Sequence, residues 1–211
     1  MEQLLTLTLD EVAKSFGGRM LFSSVSCRVR SGECLVITGA NGTGKTTLIK
    51  MIACLIKPSA GRIELSVSSK RLEDAEQMLP YMGLASPEII FYSQLSAREN
   101  IGLLAQMRDV RLSAEKIRQA LAAAGLDAQN DRQLKTYSTG MKQRLKFALL
   151  QAIDPPLWLI DEGLSNLDEE GRARILSLIE EAILRQRLLV LATNEQADAA
   201  YATQTIPLPR H

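Results

Sequence analysis

The run Gly39-Ala40-Asn41-Gly42-Thr43-Gly44-Lys45-Thr46-Thr47 fits G-x-x-x-x-G-K-[ST]. Glycines there let successive backbone N–H groups turn inward around an anion, the lysine puts a point charge on the outer phosphates, and the hydroxyl after it can meet Mg2+. The residues expected to hold a nucleoside triphosphate are therefore Gly39, Asn41, Gly42, Thr43, Gly44, Lys45, Thr46 and Thr47, with Lys45 also serving the chemistry and Thr46 the metal. A second constellation follows the apolar run Leu157-Trp158-Leu159-Ile160, which ends in Asp161-Glu162. A buried strand would set those carboxylates at its C-terminal edge, where α/β sheets bind ligands. Asp161 is expected to hold Mg2+ through water and Glu162 to polarise the water that attacks a γ-phosphate. A lone Asp-Glu is as readily a solvated turn, and a lone Gly-rich loop says only nucleoside triphosphate. Together they point to hydrolysis of one.

The elements that must position these residues are legible around them. Cys34 to Thr38 is a short apolar run, and Leu48, Ile49, Ile52, Leu55 and Ile56 recur on a helical period, so the loop lies between a strand and a helix spanning 46–56. Leu5, Leu7 and Leu9 alternate with threonines, and with 26–29 and the Gly17-Gly18 turn they predict an antiparallel hairpin. A polar stretch over 66–76 precedes a mostly helical segment, 96–150, in which Ser113 caps a helix with its apolar face at Ile117, Ala120, Leu121 and Ala124, and Gly125 ends it. A helix over 169–184 and a buried-type strand over 188–193 follow the Pro155-Pro156 break. The alternation predicts a mainly parallel α/β sheet with a helical subdomain inserted at about 90–152, within one domain covering 1–211.

Composition narrows the function classes. The 25 Lys plus Arg against 24 Asp plus Glu give no global field to collect nucleic acid, so no nucleic-acid partner is expected. No apolar run approaches bilayer length and the first ten residues lack a basic n-region, which points to a cytoplasmic chain that neither spans a membrane nor is secreted. Cys27, Cys34 and Cys54 lack C-x-x-C spacing and read as small apolar residues in a reducing compartment. The only histidine is His211, which leaves none in the body of the chain for metal binding or base catalysis.

Tyr137-Ser138-Thr139-Gly140-Met141-Lys142-Gln143-Arg144 resembles the LSGGQ signature of the ATP-binding-cassette (ABC) ATPases, with the basic helix that follows it. The similarity extends to Ser165-Asn166-Leu167-Asp168, which looks like the family's SALD loop, and to Leu95-Ser96-Ala97-Arg98-Glu99-Asn100, which looks like LTxxEN. The resemblance implies a P-loop NTPase fold, an α/β mixed sheet core with an antiparallel β subdomain and an inserted helical subdomain. It implies ATP with Mg2+, Phe16 as the aromatic stacking on adenine, and Ser138 and Gly140 as contacts to a γ-phosphate held by a second cassette. The expected partners are a head-to-tail homodimer or heterodimer formed with ATP, and integral membrane permease subunits that the chain joins from the inner face of the cell membrane. The compact length looks similar to ATP-binding subunits of haem-exporter type in cytochrome c biogenesis.

The sequence departs from the family pattern at three places. Where the family carries the glutamine that links metal and water to the membrane subunits stands Leu84-Ala85-Ser86-Pro87, with Ser86 as the substitute near the metal; Gln94 comes too late. Asn194 fills the slot of the switch histidine, and an amide can hydrogen-bond a γ-phosphate but carries no charge near neutral pH. Thr139 and Met141 replace a glycine and the glutamine of LSGGQ. Slow hydrolysis is therefore expected. Two other functions stay open on sequence: a soluble ABC ATPase of translation or chromosome work, and a regulatory nucleotide-binding subunit that no longer hydrolyses. The absence of tandem cassettes or coiled coils argues against the first, and Glu162 against the second.

Overall fold

The computed structural model describes residues 4–128, 131–195 and 200–209, so His211 lies outside the described residues. The chain divides into two compact units, one of residues 1–84, 155–162 and 182–211, the other of 85–154 and 163–181.

The first unit opens with β1 (Leu5–Phe16) and β2 (Arg19–Arg30), two twelve-residue antiparallel strands. Gly17 and Gly18 join them with φ of +53° and +80°, the two left-handed residues that a hairpin of matching twist requires. Leu5, Leu7 and Leu9 point inward in strict alternation and are essentially fully buried. β4 (Ala60–Val67) pairs antiparallel with β1, and β5 (Lys70–Leu72) pairs with β4, giving the order β2-β1-β4-β5. The segment 66–76, expected as a polar stretch, is thus the end of one strand, a second strand, and α2 (Ala75–Met78), whose Gln77 N–H donates to the Asp74 side chain. Its polar residues face outward while Leu72 and Met78 close onto the core.

The second sheet holds β3 (Cys34–Thr38), β6 (Met82–Ala85), β7 (Leu157–Asp161), β8 (Leu188–Thr193) and β9 (Gln204–Pro207) in the order β6-β7-β8-β3-β9. The pairs β3–β8, β3–β9 and β7–β8 are parallel. Every residue of β7 and β8 is buried, which is why these strands read as continuous apolar runs. The helix α1 (Lys45–Ile52) ends four residues earlier than its periodicity suggests, because Cys54 turns left-handed at φ +61° and the Leu55 N–H returns to the Lys50 carbonyl. Burial pushes the Cys34 thiol up to about 12 and that of Cys27 to about 11, and raises that of Cys54. These thiols therefore stay protonated and behave as apolar groups.

In the second unit α3 (Ala97–Gln106), α4 (Ala114–Ala123) and α5 (Thr139–Ile153) pack on one another. Ser96 and Glu99 form a reciprocal capping box at the start of α3, and Ser113 caps α4 through the Lys116 N–H. Gly125, at φ +68°, closes α4, with the Leu126 N–H reaching back to the Leu121 carbonyl. Asp168 accepts the Gly171 N–H at the first turn of α6 (Glu169–Leu184). Among the described residues no helix is long and apolar enough to cross a membrane.

Candidate functional site

Three parallel strands deliver the chemistry to one edge of the second sheet. Thr38 at the end of β3 pairs with Thr193 of β8, and Asp161 at the end of β7 pairs with Ala192. The loop starting at Gly39, the Glu162 corner and Asn194 therefore all leave the sheet at its carboxyl edge, the position at which such sheets bind ligands.

The phosphate loop takes its shape from glycines at positive φ, a region L side chains rarely adopt. Gly39 has φ +154° and a Cβ there would stand 2.7 Å from the Leu208 carbonyl oxygen. Gly44, at φ +103°, caps α1, and a Cβ there would stand within 2.9 Å of Phe22 and Leu21. Thr43 is buried and its hydroxyl donates to the Ala40 carbonyl at 3.0 Å, which tightens the turn. Lys45 is 4% exposed, and its Nζ donates to the carbonyls of Gly39 at 2.8 Å and Ala40 at 3.1 Å. The ammonium is thus held inside the loop by two of its carbonyls, at the start of α1, whose N-terminus carries the positive end of the helix dipole.

Thr46 and Asp161 are brought together: the Thr46 hydroxyl donates to Asp161 Oδ1 at 3.1 Å. Burial is the main force on the Asp161 carboxyl and raises its pKa; Thr46 opposes this, the Glu162 charge adds to it, and Lys45 and Lys50 oppose it. Glu162 leaves the strand at φ +50°, with its N–H donated to the Ala192 carbonyl at 3.0 Å. That corner turns the second carboxylate away from the alternation of β7, and it lines a cavity of about 190 Å3 with Lys45, Thr46 and Thr47. A larger cavity of about 350 Å3 shares Leu21, Asn41 and Gly42 with it and is lined further by Phe16, Arg19 and Met20. The two adjoin through these shared residues, with Phe16, Met20 and the Arg19 side chain at one end and Lys45 and Glu162 at the other.

Phe16 is 53% exposed at the hairpin end, directly opposite Arg19. Arg19, Met20 and Leu21 are cleft residues that sequence reasoning missed; the hairpin around Gly17-Gly18 was a signal for them, since the residue across a two-residue turn from Phe16 is Arg19. Asn194 is exposed one residue beyond β8, and the neighbouring Glu195 N–H is capped by Thr193 Oγ1. Ser86, Ser138 and Gly140 belong to the second unit. Ser86 is 4% exposed and its carbonyl accepts the Ile89 N–H. Ser138 caps α5 through the Met141 N–H, leaving Ser138 and Thr139 exposed at a helix N-terminus. A Cβ on Gly140 would stand 3.0 Å from the Asn166 carbonyl oxygen, so the start of α5 and the 165–168 loop approach closely.

Residues 22–165 match the ABC transporter family, a span that includes the phosphate loop, the carboxylate pair and the α5 cap just described. The chain belongs to the ABC transporter family. It is an ATP-binding, ATP-hydrolysing subunit of that family. The cytochrome c biogenesis ATP-binding export protein CcmA of Cupriavidus pinatubonensis is 30% identical over 190 residues, which cover 89% of this chain and 83% of that protein. An uncharacterised ABC transporter ATP-binding protein of Bacillus subtilis, YcbN, is 32% identical over 169 residues, 80% of this chain and 54% of that protein. A dimeric ATP-binding cassette solved in a post-hydrolysis state with ADP and phosphate has a TM-score of 0.83 at 24% identity, covering 97% of this chain and 96% of that one. This likeness establishes the fold as that of an ATP-binding cassette.

Proposed function

We propose that this ABC subunit binds Mg-ATP in the cleft between Phe16 and Glu162, closes head to tail on a second cassette, and passes the resulting motion to membrane permease subunits at the inner face of the cell membrane. The observation that carries it is the alignment of Lys45, Thr46, Asp161 and Glu162 at one sheet edge beside an aromatic-ended cavity.

The donor set fits Mg2+. Thr46 and Asp161 present hard oxygens in hydrogen-bond contact, and this ion uses one or two carboxylates with substrate phosphates rather than a full protein cage. Thr46 would ligate it and Asp161 would hold it through water, while the ion would supply charge neutralisation to the phosphates. Lys45 binds the outer phosphates and stabilises charge that develops as the γ-phosphoryl group leaves. Glu162 accepts a proton from the attacking water. Asn194, leaving the same sheet edge, donates one neutral hydrogen bond to the γ-phosphate. Ser138 and Gly140 at the α5 N-terminus would meet the γ-phosphate held by the other cassette. Ser86 would hold a metal-bound water.

An apolar edge in the second unit supports a membrane-protein partner. Ile90 is 84% and Tyr92 51% exposed, and Ile90 lines a cavity of about 280 Å3 with Phe91, Leu134, Lys142 and Lys146. The edge is held rigid by buried Asn100, which accepts the Tyr92 N–H at 2.7 Å and donates to the Tyr92 carbonyl at 3.0 Å. A permease segment packed there would bury that surface. The match to CcmA over 83% of its length supports an export subunit of that type.

The test is Glu162→Gln, which keeps shape and an acceptor but removes the base. With ATP and Mg2+, light scattering should show the mass of two copies, and phosphate release should fall to background. A monomer with undiminished turnover refutes both the role of Glu162 and the sandwich.

A further inference from the structure

The aromatic end of β1 is fastened to the chain that leaves the phosphate-loop helix. The Ser59 N–H donates to the Ala13 carbonyl at 2.9 Å and the Ser15 N–H to Ser59 Oγ at 3.1 Å. Lys14, between them, donates its Nζ to the Lys57 carbonyl at 2.8 Å. The same ammonium stands 4.8 Å from the centroid of the Phe16 ring. A cation at that distance over a ring face is attracted to it. Phe16, Arg19 and Met20 line the larger cavity, whereas Lys14 is not among the described residues that do.

We propose that Lys14 is a positioning residue for the nucleotide base: anchored on the Lys57 carbonyl, it covers one face of the Phe16 ring and holds the opposite face toward the cavity. This rests on the reading of Phe16 as the base-stacking aromatic. A phenylalanine 53% exposed at a hairpin end has little packing to choose among its staggered rotamers. Without a fixed neighbour, the ring would have to be immobilised when the base arrives, at a cost to affinity. Lys14 does this beforehand. Because Lys57 follows α1 by a few residues, the anchor also ties the ring's place to the helix whose first turn receives the phosphates. Base and triphosphate are then held in one frame.

The experiment measures Mg-ATP and Mg-tripolyphosphate binding by calorimetry, with kcat and KM, for Lys14→Met, Lys14→Arg, Phe16→Ala and the Lys14→Met/Phe16→Ala pair. Phe16→Ala should weaken ATP at least about fivefold, the lower range for base–aromatic stacking. Lys14→Met should weaken ATP by about two- to fivefold, the range of an exposed cation–π contact, and raise KM with kcat unchanged. Tripolyphosphate, which has no base, should bind the wild type and Lys14→Met alike. Lys14→Arg should restore ATP affinity, and Lys14→Met should add nothing once Phe16 is gone. If Phe16→Ala leaves ATP affinity unchanged, the base-stacking role of Phe16 fails and takes the inference with it. If Phe16→Ala weakens ATP but Lys14→Met does not, or weakens tripolyphosphate equally, the inference alone is overturned. Lys14→Gln, neutral but still able to donate, replaces Lys14→Met should the latter unfold, with the same outcomes expected.

Discussion

Replacing Asp161 with Asn should make the nucleotide-free protein more stable and the nucleotide-bound protein less so. Asp161 is 2% exposed and its carboxyl is held above the usual carboxylate range, chiefly by burial, with Glu162 adding repulsion. At neutral pH the free protein thus carries a buried charge that folding disfavours. Asn keeps an oxygen to accept the Thr46 hydroxyl and removes that charge. Substitutions that relieve a functional site of this kind commonly gain about 0.5–2 kcal/mol. In a chain of this size each kcal/mol moves Tm by about 2–4 °C, so a rise of roughly 1–8 °C in EDTA is expected.

The sign of the pH dependence follows from the same shift. A carboxyl whose folded pKa lies above its unfolded value contributes stability only while protonated, and that contribution is present below the unfolded pKa and lost as pH rises through the folded one. The advantage of Asp161→Asn should therefore be full at pH 7.5 and shrink as the pH falls through the carboxylate range. Ligand linkage works the other way. Mg-ATP at a hundred times Kd adds about 2.7 kcal/mol to the wild type, or roughly 5–11 °C. Asp161→Asn should lose the part of this increment that depends on Mg2+, leaving the same response in Mg2+ as in EDTA. Thermal melts by circular dichroism at pH 7.5 and 5, with EDTA, ATP plus EDTA, and ATP plus Mg2+, read all three effects. A variant less stable than wild type in EDTA at pH 7.5 would show that the Asp161 charge is not a burden, and a retained Mg2+ increment would remove Asp161 from the metal site.

Lys45→Ala should abolish tight ATP binding, since it removes the one ammonium held within the loop and leaves the Gly39 and Ala40 carbonyls without it. Calorimetry showing wild-type affinity would end the phosphate-loop assignment. Asn194→Ala should lower turnover about five- to thirtyfold at saturating ATP, the equivalent of about 1–2 kcal/mol for one neutral hydrogen bond, and Asn194→His should raise it. Equal phosphate-release rates in all three proteins would mean that the position is idle.

What could be read from the chain and what could not separate along one physical line. The phosphate loop is nine consecutive residues whose conformation is set locally by glycine, and β3, β7 and β8 are buried on both faces, so composition alone marks them. Asp161 and Glu162 follow from such a run directly. Met82–Ala85 and Gln204–Pro207 are four residues each and carry no period; they are strands because edge positions of the sheet beside β7 and β3 give their backbones partners. The hairpin shows the same division within one element. Its alternation at Leu5, Leu7 and Leu9 was visible, but the register breaks between Leu9 and Val12 and again before Ser15, so alternation could not be carried to the tip. Which residues surround Phe16 depends on those breaks and on the Lys57–Ser59 segment, 41 residues beyond Phe16 at its nearer end (57 − 16). Arg19 therefore reaches the cavity through strand pairing and Lys14 reaches the Phe16 ring through a distant anchor, while Lys45 and Glu162 are placed by their immediate neighbours. Phe16 itself could be named from the family resemblance, but the anchoring of the chain around it could not, because its partners lie in a distant segment.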